Sequence, residues 1–421
     1  MPARVVGYVA VALGIALAVA LAIELAAPLS AALHHDFLAF YGAGRLIREG
    51  DPSGIYDAAA LTAVQRTIVP GPVGENGYMP YINPPFAAVG FVPLAGLAAE
   101  PARIAWAAIG AALLIVAAIV IARPLRGGDR ALSVGLIVLS YPAYHALAEG
   151  QWSVLLLASG VAAIGAARRG RWWLAGLALV AFWIKPQLIA LPLLGFVAAR
   201  RWRLVAGTVL GGVAVAVVAL PLTGIGPYAD YATYLVSVVT SHFAGAGATG
   251  LTTWRGDLAT TEGINGLVAG YLGQASVSLD NALWLLGSAA VVLLYALAIR
   301  RRRPGLDSPG GRRMLAIGLV VTLLINPNLF SQDCLLLFLV LPILWPLSPR
   351  RVLPTVIVTT VVADLVLLDQ LPVTVHLFTI ALMGAVVVAC VRELRGDGLP
   401  ASEVSDAAAA SGGTSSPVRA G

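Results

Sequence analysis

The side chains able to move a proton or hold a phosphate sit in a few short polar stretches between long apolar runs. The first, "HHDFLAFYGAGRLIREGDPSGIYD", places His34, His35 and Asp36 where the first apolar run ends. Continued as a helix, it sets Asp36, Phe40 and the Ala43/Gly44 pair on one face, where small residues let a substrate approach closely. A carboxylate there either takes a proton from a substrate hydroxyl or caps a helix end. His34 and His35 are adjacent and point apart on a helix, and no Glu-x-x-His or Cys-x-x-Cys pattern accompanies them, so neither a metal nor another cofactor is expected.

Three later stretches share this character. "AEGQWS" (Ala148 to Ser153) is a tight turn that brings Glu149, Gln151 and Trp152 beside His145, as sugar contacts or as a capped turn with an interfacial tryptophan. "WIKPQ" (Trp183 to Gln187) holds Lys185, the only lysine, beside a helix-interrupting proline, where an ammonium can meet a phosphate as a point charge. "INPNLFSQD" (Ile325 to Asp333) groups Asn326, Gln332 and Asp333 where two helices end, and Asp333 there is a cap or a catalytic carboxylate. Glu24 and Asp364 fall inside apolar runs, must face protein or water, and receive no role.

The elements that position these residues are dictated by composition. Of 421 residues 59% are hydrophobic and 11% charged, beyond what a soluble core of this length requires. Apolar runs of roughly 20 residues recur along most of the chain, which a lone signal peptide cannot explain. The formal charge of +6 is carried by short arginine clusters between those runs, which argues against a nucleic-acid partner. The clusters are Arg123/Arg126/Arg130, Arg168/Arg169/Arg171, Arg200/Arg201/Arg203, Arg300 to Arg303 with Arg312/Arg313, Arg350/Arg351 and Arg392/Arg395. Under the positive-inside rule they face the cytoplasm. The pattern predicts an all-α polytopic membrane protein of about twelve spans with both termini inside. The expected spans cover 5–33, 102–122, 131–148, 152–167, 172–184, 187–199, 204–222, 281–299, 314–326, 334–348, 352–369 and 374–391. "NPPFAAVGFVPLAGL" (Asn83 to Leu97), short and with three prolines, reads as a re-entrant or interfacial hairpin. The alternative makes it a short span and moves the amino terminus outside.

Residues 34–82 and 223–280 remain as outer loops carrying short interfacial helices, and 396–421, rich in Ala, Ser, Gly and Pro, as a disordered cytoplasmic tail behind a single domain over 1–395. Six basic residues fall outside the cytoplasmic segments, termini included: Arg45, Arg48, Arg66, Arg103, Lys185 and Arg255. Each can neutralise a lipid phosphate, pair with an acid or snorkel into the headgroups. Cys334 and Cys390 fall near opposite membrane faces and read as packing residues. Abundant Ala, Gly and Arg with one Lys points to a bacterium with a GC-rich genome, and so to its cytoplasmic membrane.

The order of the pieces is similar to that of glycosyltransferase family 87 in the GT-C superfamily. They run as an acid after the first span, Y-x-A-G at Tyr41, D-P-x-x-x-Y-D from Asp51, N-P-P-F at Asn83 with a following P-L, then G-Q at Gly150, K-P at Lys185 and a late N-P at Asn326. The likeness spans roughly residues 30–345, and its specificity lies in the ordered series. It implies an inverting transfer of a mannose-like hexose from a polyprenyl-phosphate donor to a lipid or glycan hydroxyl, outside the cytoplasmic membrane, as in glycolipid synthesis for the cell envelope. The absence of a Gly-rich phosphate loop and of nucleotide sugars on that face agrees with a lipid-borne donor. The resemblance makes Asp36 the catalytic carboxylate, with Lys185, Arg45 and Arg255 toward the donor phosphate. His35, Tyr41, Asn83, His145, Gln151, Gln187 and Asn326 become candidate substrate contacts. Mycobacterial members carry a histidine in the late turn, where this chain has "NPNLFSQDC", so either Asp333 replaces that base or Asp36 acts alone. The rival reading is a transporter or flippase of a polyprenyl-linked glycan. Transporters often show paired halves with midplane charges, and here no repeat is visible.

Overall fold

A computed structural model describes residues 2–32, 36–73, 77–244, 262–272, 277–302, 308–344, 349–369 and 376–395. The helices run α1 (Pro2–Ala26), α2 (Asp36–Arg48), α3 (Ala58–Arg66), α4 (Pro85–Val89), α5 (Ala99–Ile121), α6 (Gly127–Val138), α7 (Tyr141–Ala148), α8 (Ser153–Arg168) and α9 (Trp172–Ala178). They continue as α10 (Gln187–Ala198), α11 (Trp202–Thr223), α12 (Gly226–Ala244), α13 (Gly263–Leu272), α14 (Val277–Arg302), α15 (Pro309–Ile325), α16 (Val340–Leu344), α17 (Pro349–Asp369) and α18 (Leu377–Arg395). Among the described residues there is no strand, and one isolated bridge pairs Glu262 with Leu329. The protein is all-helical, as its apolar periodicity requires. The tail after residue 395 lies outside the described residues.

Among the described residues five helical stretches are long and apolar enough to cross a membrane: Val5–Ala26, Ala99–Ile121, Trp202–Thr223, Leu279–Arg301 and Leu377–Arg395. A sixth is the pair α6 and α7, bent by 47°. Val9, Ile23, Val116, Val218, Leu286 and Leu293 point outward from these helices, an arrangement that suits lipid as the surrounding solvent. Shorter apolar helices occupy Ser153–Arg168, Trp172–Ile184, Gln187–Ala198 and Ser331–Leu344. Helix lies over each of the twelve expected intervals, and five to six of them meet the length and hydropathy that a span demands.

The bend between α6 and α7 leaves the first amide of α7 without an intrahelical acceptor. Asp364 of α17 supplies it, accepting the Tyr141 N–H at 2.8 Å. This carboxylate, unassigned from sequence, closes a broken helix within the apolar core. Arg103 does the converse at the end of α1, where its guanidinium donates to the carbonyls of Glu24, Leu25 and Ala27 at 3.0, 3.2 and 2.6 Å. A cation over unpaired C-terminal carbonyls meets the negative end of the helix dipole. Arg103 is thus 2% exposed for a structural reason.

The core divides in two. A large apolar cluster joins α5 to α8 with the C-terminal helices. A smaller one gathers Phe37, Phe40 and Tyr41 of α2 with Phe91, Trp152 and Ile184. The segment 83–97 belongs to the second as a five-residue helix, α4, and a 3-10 turn at Leu94–Gly96. It fits because Gly44 offers no side chain: a Cβ there would sit 2.7 Å from the Phe91 Cβ. The Tyr41 hydroxyl fastens the contact by donating to the Leu97 carbonyl at 2.8 Å.

Candidate functional site

The site is assembled around the end of α7. Gly150 adopts φ +68, a left-handed conformation that glycine takes without steric cost. Its N–H reaches the Leu147 carbonyl at 3.3 Å and the Gln151 N–H reaches the Ala146 carbonyl at 2.8 Å. Those two bonds form a Schellman motif, which ends one helix within two residues and frees the chain to start another. Trp106 of α5 locks the turn, its indole N–H donating to the Gly150 carbonyl at 2.7 Å. Glu149 and Gln151 are thereby presented on either side of a rigid glycine.

Both meet Asp36, the first residue of α2. The Gln151 amide donates to Asp36 Oδ2, and Glu149 Oε2 accepts the Asp36 N–H at 3.1 Å. Asp36 is half-buried, which keeps its carboxylate within reach of a substrate. Glu149 turns its other oxygen toward His145 Nε2, 3.8 Å away, while His145 Nδ1 lies 3.0 Å from Gln332 Oε1. The His145 ring also stacks on Tyr141 at 5.6 Å and 14°.

Gln332 leads into the second carboxylate. Asp333 lies in the first turn of the 3-10 stretch Ser331–Leu339 and is 1% exposed. Its Oδ1 accepts from Lys185 Nζ and from the Ser153 hydroxyl, each at 2.6 Å. The sequence separations of 148 and 180 show how far apart in the chain these partners lie. Ser153 carried no signal in the sequence, since a serine in the first turn of a helix is ordinary. One set of polar contacts therefore joins Gln151, Asp36, Glu149, His145 and Gln332, and the next residue in sequence, Asp333, holds a second set with Lys185 and Ser153. A histidine does reach the late turn, from α7 rather than from the turn itself.

The remaining candidates divide between these contacts and their scaffold. Asn83 is buried, donating from its amide to the Ile184 carbonyl at 3.0 Å and accepting the Tyr56 hydroxyl on its own carbonyl at 2.6 Å. It anchors the hairpin to the 3-10 turn that ends one residue before Lys185. Asn326 caps α15 and is 2% exposed, its Oδ1 accepting the Asn328 N–H at 3.1 Å. Gln187 starts α10 and is exposed. Arg45 lies nine residues from Asp36 on α2, about 13 Å along the axis. It pairs with Glu49 at 2.7 Å and donates to Thr67 at 3.2 Å, and the Glu49 hydrogen bond pushes its pKa up. His34, His35 and Arg255 lie outside the described residues.

An aromatic knot flanks the site. Tyr56 contacts Tyr81, Tyr231 and Tyr234, at ring distances of 5.8, 5.8 and 6.1 Å. Burial raises all four phenol pKa values, Tyr231 to about 12, so the knot stays uncharged at neutral pH and ties the 3-10 turn Pro52–Tyr56 to α12. Among the described residues no three His, Cys, Asp or Glu side chains gather in a way that could hold a metal ion.

A helical membrane protein whose polar turns converge on paired carboxylates, amides and one lysine is the scaffold of an enzyme acting at a membrane surface. The sequence model of glycosyltransferase family 87 matches residues 81–327, more than half of the chain, and the protein belongs to that family. It is a membrane glycosyltransferase. The match includes Asn83, His145, Glu149, Gln151, Ser153, Lys185 and Asn326, while Asp36 and Asp333 flank it. No curated protein and no solved structure matches the chain.

Proposed function

We propose that this enzyme transfers a mannose-like hexose, with inversion, from a polyprenyl-phosphate donor to a hydroxyl of a lipid or glycan. The reaction takes place on the non-cytoplasmic face of a bacterial cytoplasmic membrane, in a GT-C arrangement of twelve spans that forms one domain over residues 1–395. The observation that carries this reading is the clamp on Asp36. A half-buried carboxylate is held at its main chain by Glu149 and at its side chain by Gln151, both from the family-matched region.

In this reading Asp36 takes the acceptor's hydroxyl proton as that oxygen bonds to the anomeric carbon. The bond from the anomeric carbon to the phosphate oxygen breaks, and its electrons leave on polyprenyl phosphate. Asp333 is the lesser candidate for the base because it is enclosed and already bound to Lys185 and Ser153. Lys185 has three ammonium donors, of which Asp333 takes one, and the others point to a role at the departing phosphate. Arg255, outside the described residues, is proposed as a second cation for that phosphate. Tyr41, Asn83, Asn326 and Gln187, together with His35 outside the described residues, are proposed as substrate contacts.

Purified enzyme, freed of endogenous lipid donor, should convert a synthetic polyprenyl-phosphate mannose and ignore nucleotide sugars. NMR of the product should show the anomeric configuration opposite to that of the donor. Turnover with a nucleotide sugar alone, or retained configuration, would refute the proposal.

A further inference from the structure

Both ring nitrogens of His145 face oxygen atoms, Gln332 Oε1 at 3.0 Å and Glu149 Oε1 at 3.8 Å. A neutral imidazole has one N–H to place between them, whereas an imidazolium donates to Gln332 and at the same time sets a positive charge within ion-pair distance of Glu149. The second oxygen of Glu149 accepts the Asp36 N–H. Charge on this ring is therefore two contacts away from the first residue of α2, and a carboxylate beside that helix start is favoured by the backbone dipole.

We propose that protonated His145 and Glu149 together act as positioning residues for Asp36, so that loss of the proton from this one imidazole sets the alkaline limit of sugar transfer. The proposal rests on the reading of Asp36 as the base. Several groups face the ring or lie close around it. Tyr141 stacks on it from the same helix, and Glu149 pairs with it. From the late turn come Gln332 and, beyond it, the Asp333–Lys185 pair. Glu262, before α13, acts electrostatically on Tyr141, and Glu24 of α1 on Tyr144. Asp364 of α17 holds the Tyr141 N–H.

The charged ring is present at low pH and disappears as pH rises through the titration of this imidazole. The acid limb of the profile belongs to Asp36, which must be ionised to accept a proton, and the alkaline limb to His145.

The test is the pH profile of kcat, with donor KM and thermal stability, for the wild type, Glu149→Gln, His145→Gln and Asp36→Asn in one detergent. Titration of the 13C-labelled histidine rings accompanies it, with the His145 signal assigned by its absence in His145→Gln. Glutamine at 149 still offers an oxygen to the Asp36 N–H but no charge to the ring. Its alkaline limb and its NMR midpoint should both move down by about one pH unit. Its kcat should fall by up to roughly 100-fold as Asp36 loses its orientation, with donor KM nearly unchanged. A merely structural Glu149 would lower stability and leave both midpoints in place, which overturns the proposal. An unmoved midpoint with an inactive Asp36→Asn overturns the His145 proposal alone. A moved midpoint with an active Asp36→Asn overturns the base assignment alone.

Discussion

Asp36 and Asp333 bring the same functional group to two sets of contacts that adjoin at Gln332 and Asp333, and their partners divide the work between them. Asp36 is half-buried and bonded to an amide and a neighbouring carboxylate, while Asp333 is enclosed and matched by the only lysine. Asp36→Asn keeps the shape and removes the base, so turnover should fall by roughly 10²- to 10⁴-fold with donor affinity and melting temperature nearly unchanged. The measurement is single-turnover transfer beside a binding isotherm. Asp333→Asn should instead lower stability first, because Lys185 keeps a buried charge that has lost its counter-ion. Lys185→Met leaves Asp333 ionised in an apolar surround, for which breaking a buried pair costs about 3–5 kcal/mol. The double variant Lys185→Met/Asp333→Asn should recover much of that loss in thermal unfolding. Donor KM should stay raised in the double variant, because the phosphate contact is missing there too. Recovery of donor KM along with stability would reduce Lys185 to a staple.

The element that brings the site together is the turn between α7 and α8, and it hinges on Gly150. An alanine there would have to hold φ +68, a conformation costing roughly 1–2 kcal/mol, and its Cβ would meet the Phe37 Cβ at 3.1 Å. Gly150→Ala should therefore lower the melting temperature and depress turnover more than its stability cost explains, because Glu149 and Gln151 both shift away from Asp36. Turnover measured well below the melting temperature separates the two effects. This turn was legible in the sequence, since "AEGQWS" between apolar runs announces a tight corner with polar residues on it. So were Asp36 at the end of the first run and Lys185 beside its proline. What spacing could not reveal is which turns meet. The contact of His145 with Gln332 depends on a 47° bend stabilised by Asp364, 223 residues away in sequence. Ser153 gave no sign because its partner lies 180 residues off. Arg45 looked free for a phosphate because sequence shows a lone cation, whereas the fold gives it Glu49 one helical turn on and Thr67 of the neighbouring segment.

At the scale of the whole molecule, the same helices that present the polar turns also sort the charges. The two sets of contacts gather Asp36, Glu149, Lys185 and Asp333 at turns between apolar helices, while Arg168 and Arg169 close α8 at the end opposite Ser153. A cytoplasmic arginine end and a non-cytoplasmic site end follow if the positive-inside rule governs insertion. Ser53 and Ser308 test this directly. Ser53 is exposed in the 3-10 turn Pro52–Tyr56, and Ser308 caps α15 beside Arg312 and Arg313. Replacing Ser308 by cysteine loses the cap to the Gly311 N–H at 3.0 Å, at roughly 1 kcal/mol, too little to unfold a helix packed on both sides. Cys334 and Cys390 are buried and add little background. An impermeant maleimide on intact spheroplasts should label Ser53→Cys at once and Ser308→Cys only after the membrane is opened. Labelling of both before lysis would overturn this topology, and labelling of Ser308→Cys alone would place the carboxylates on the cytoplasmic side. Nucleotide sugars are available on that side, and the case for a lipid-borne donor would then fall with the topology.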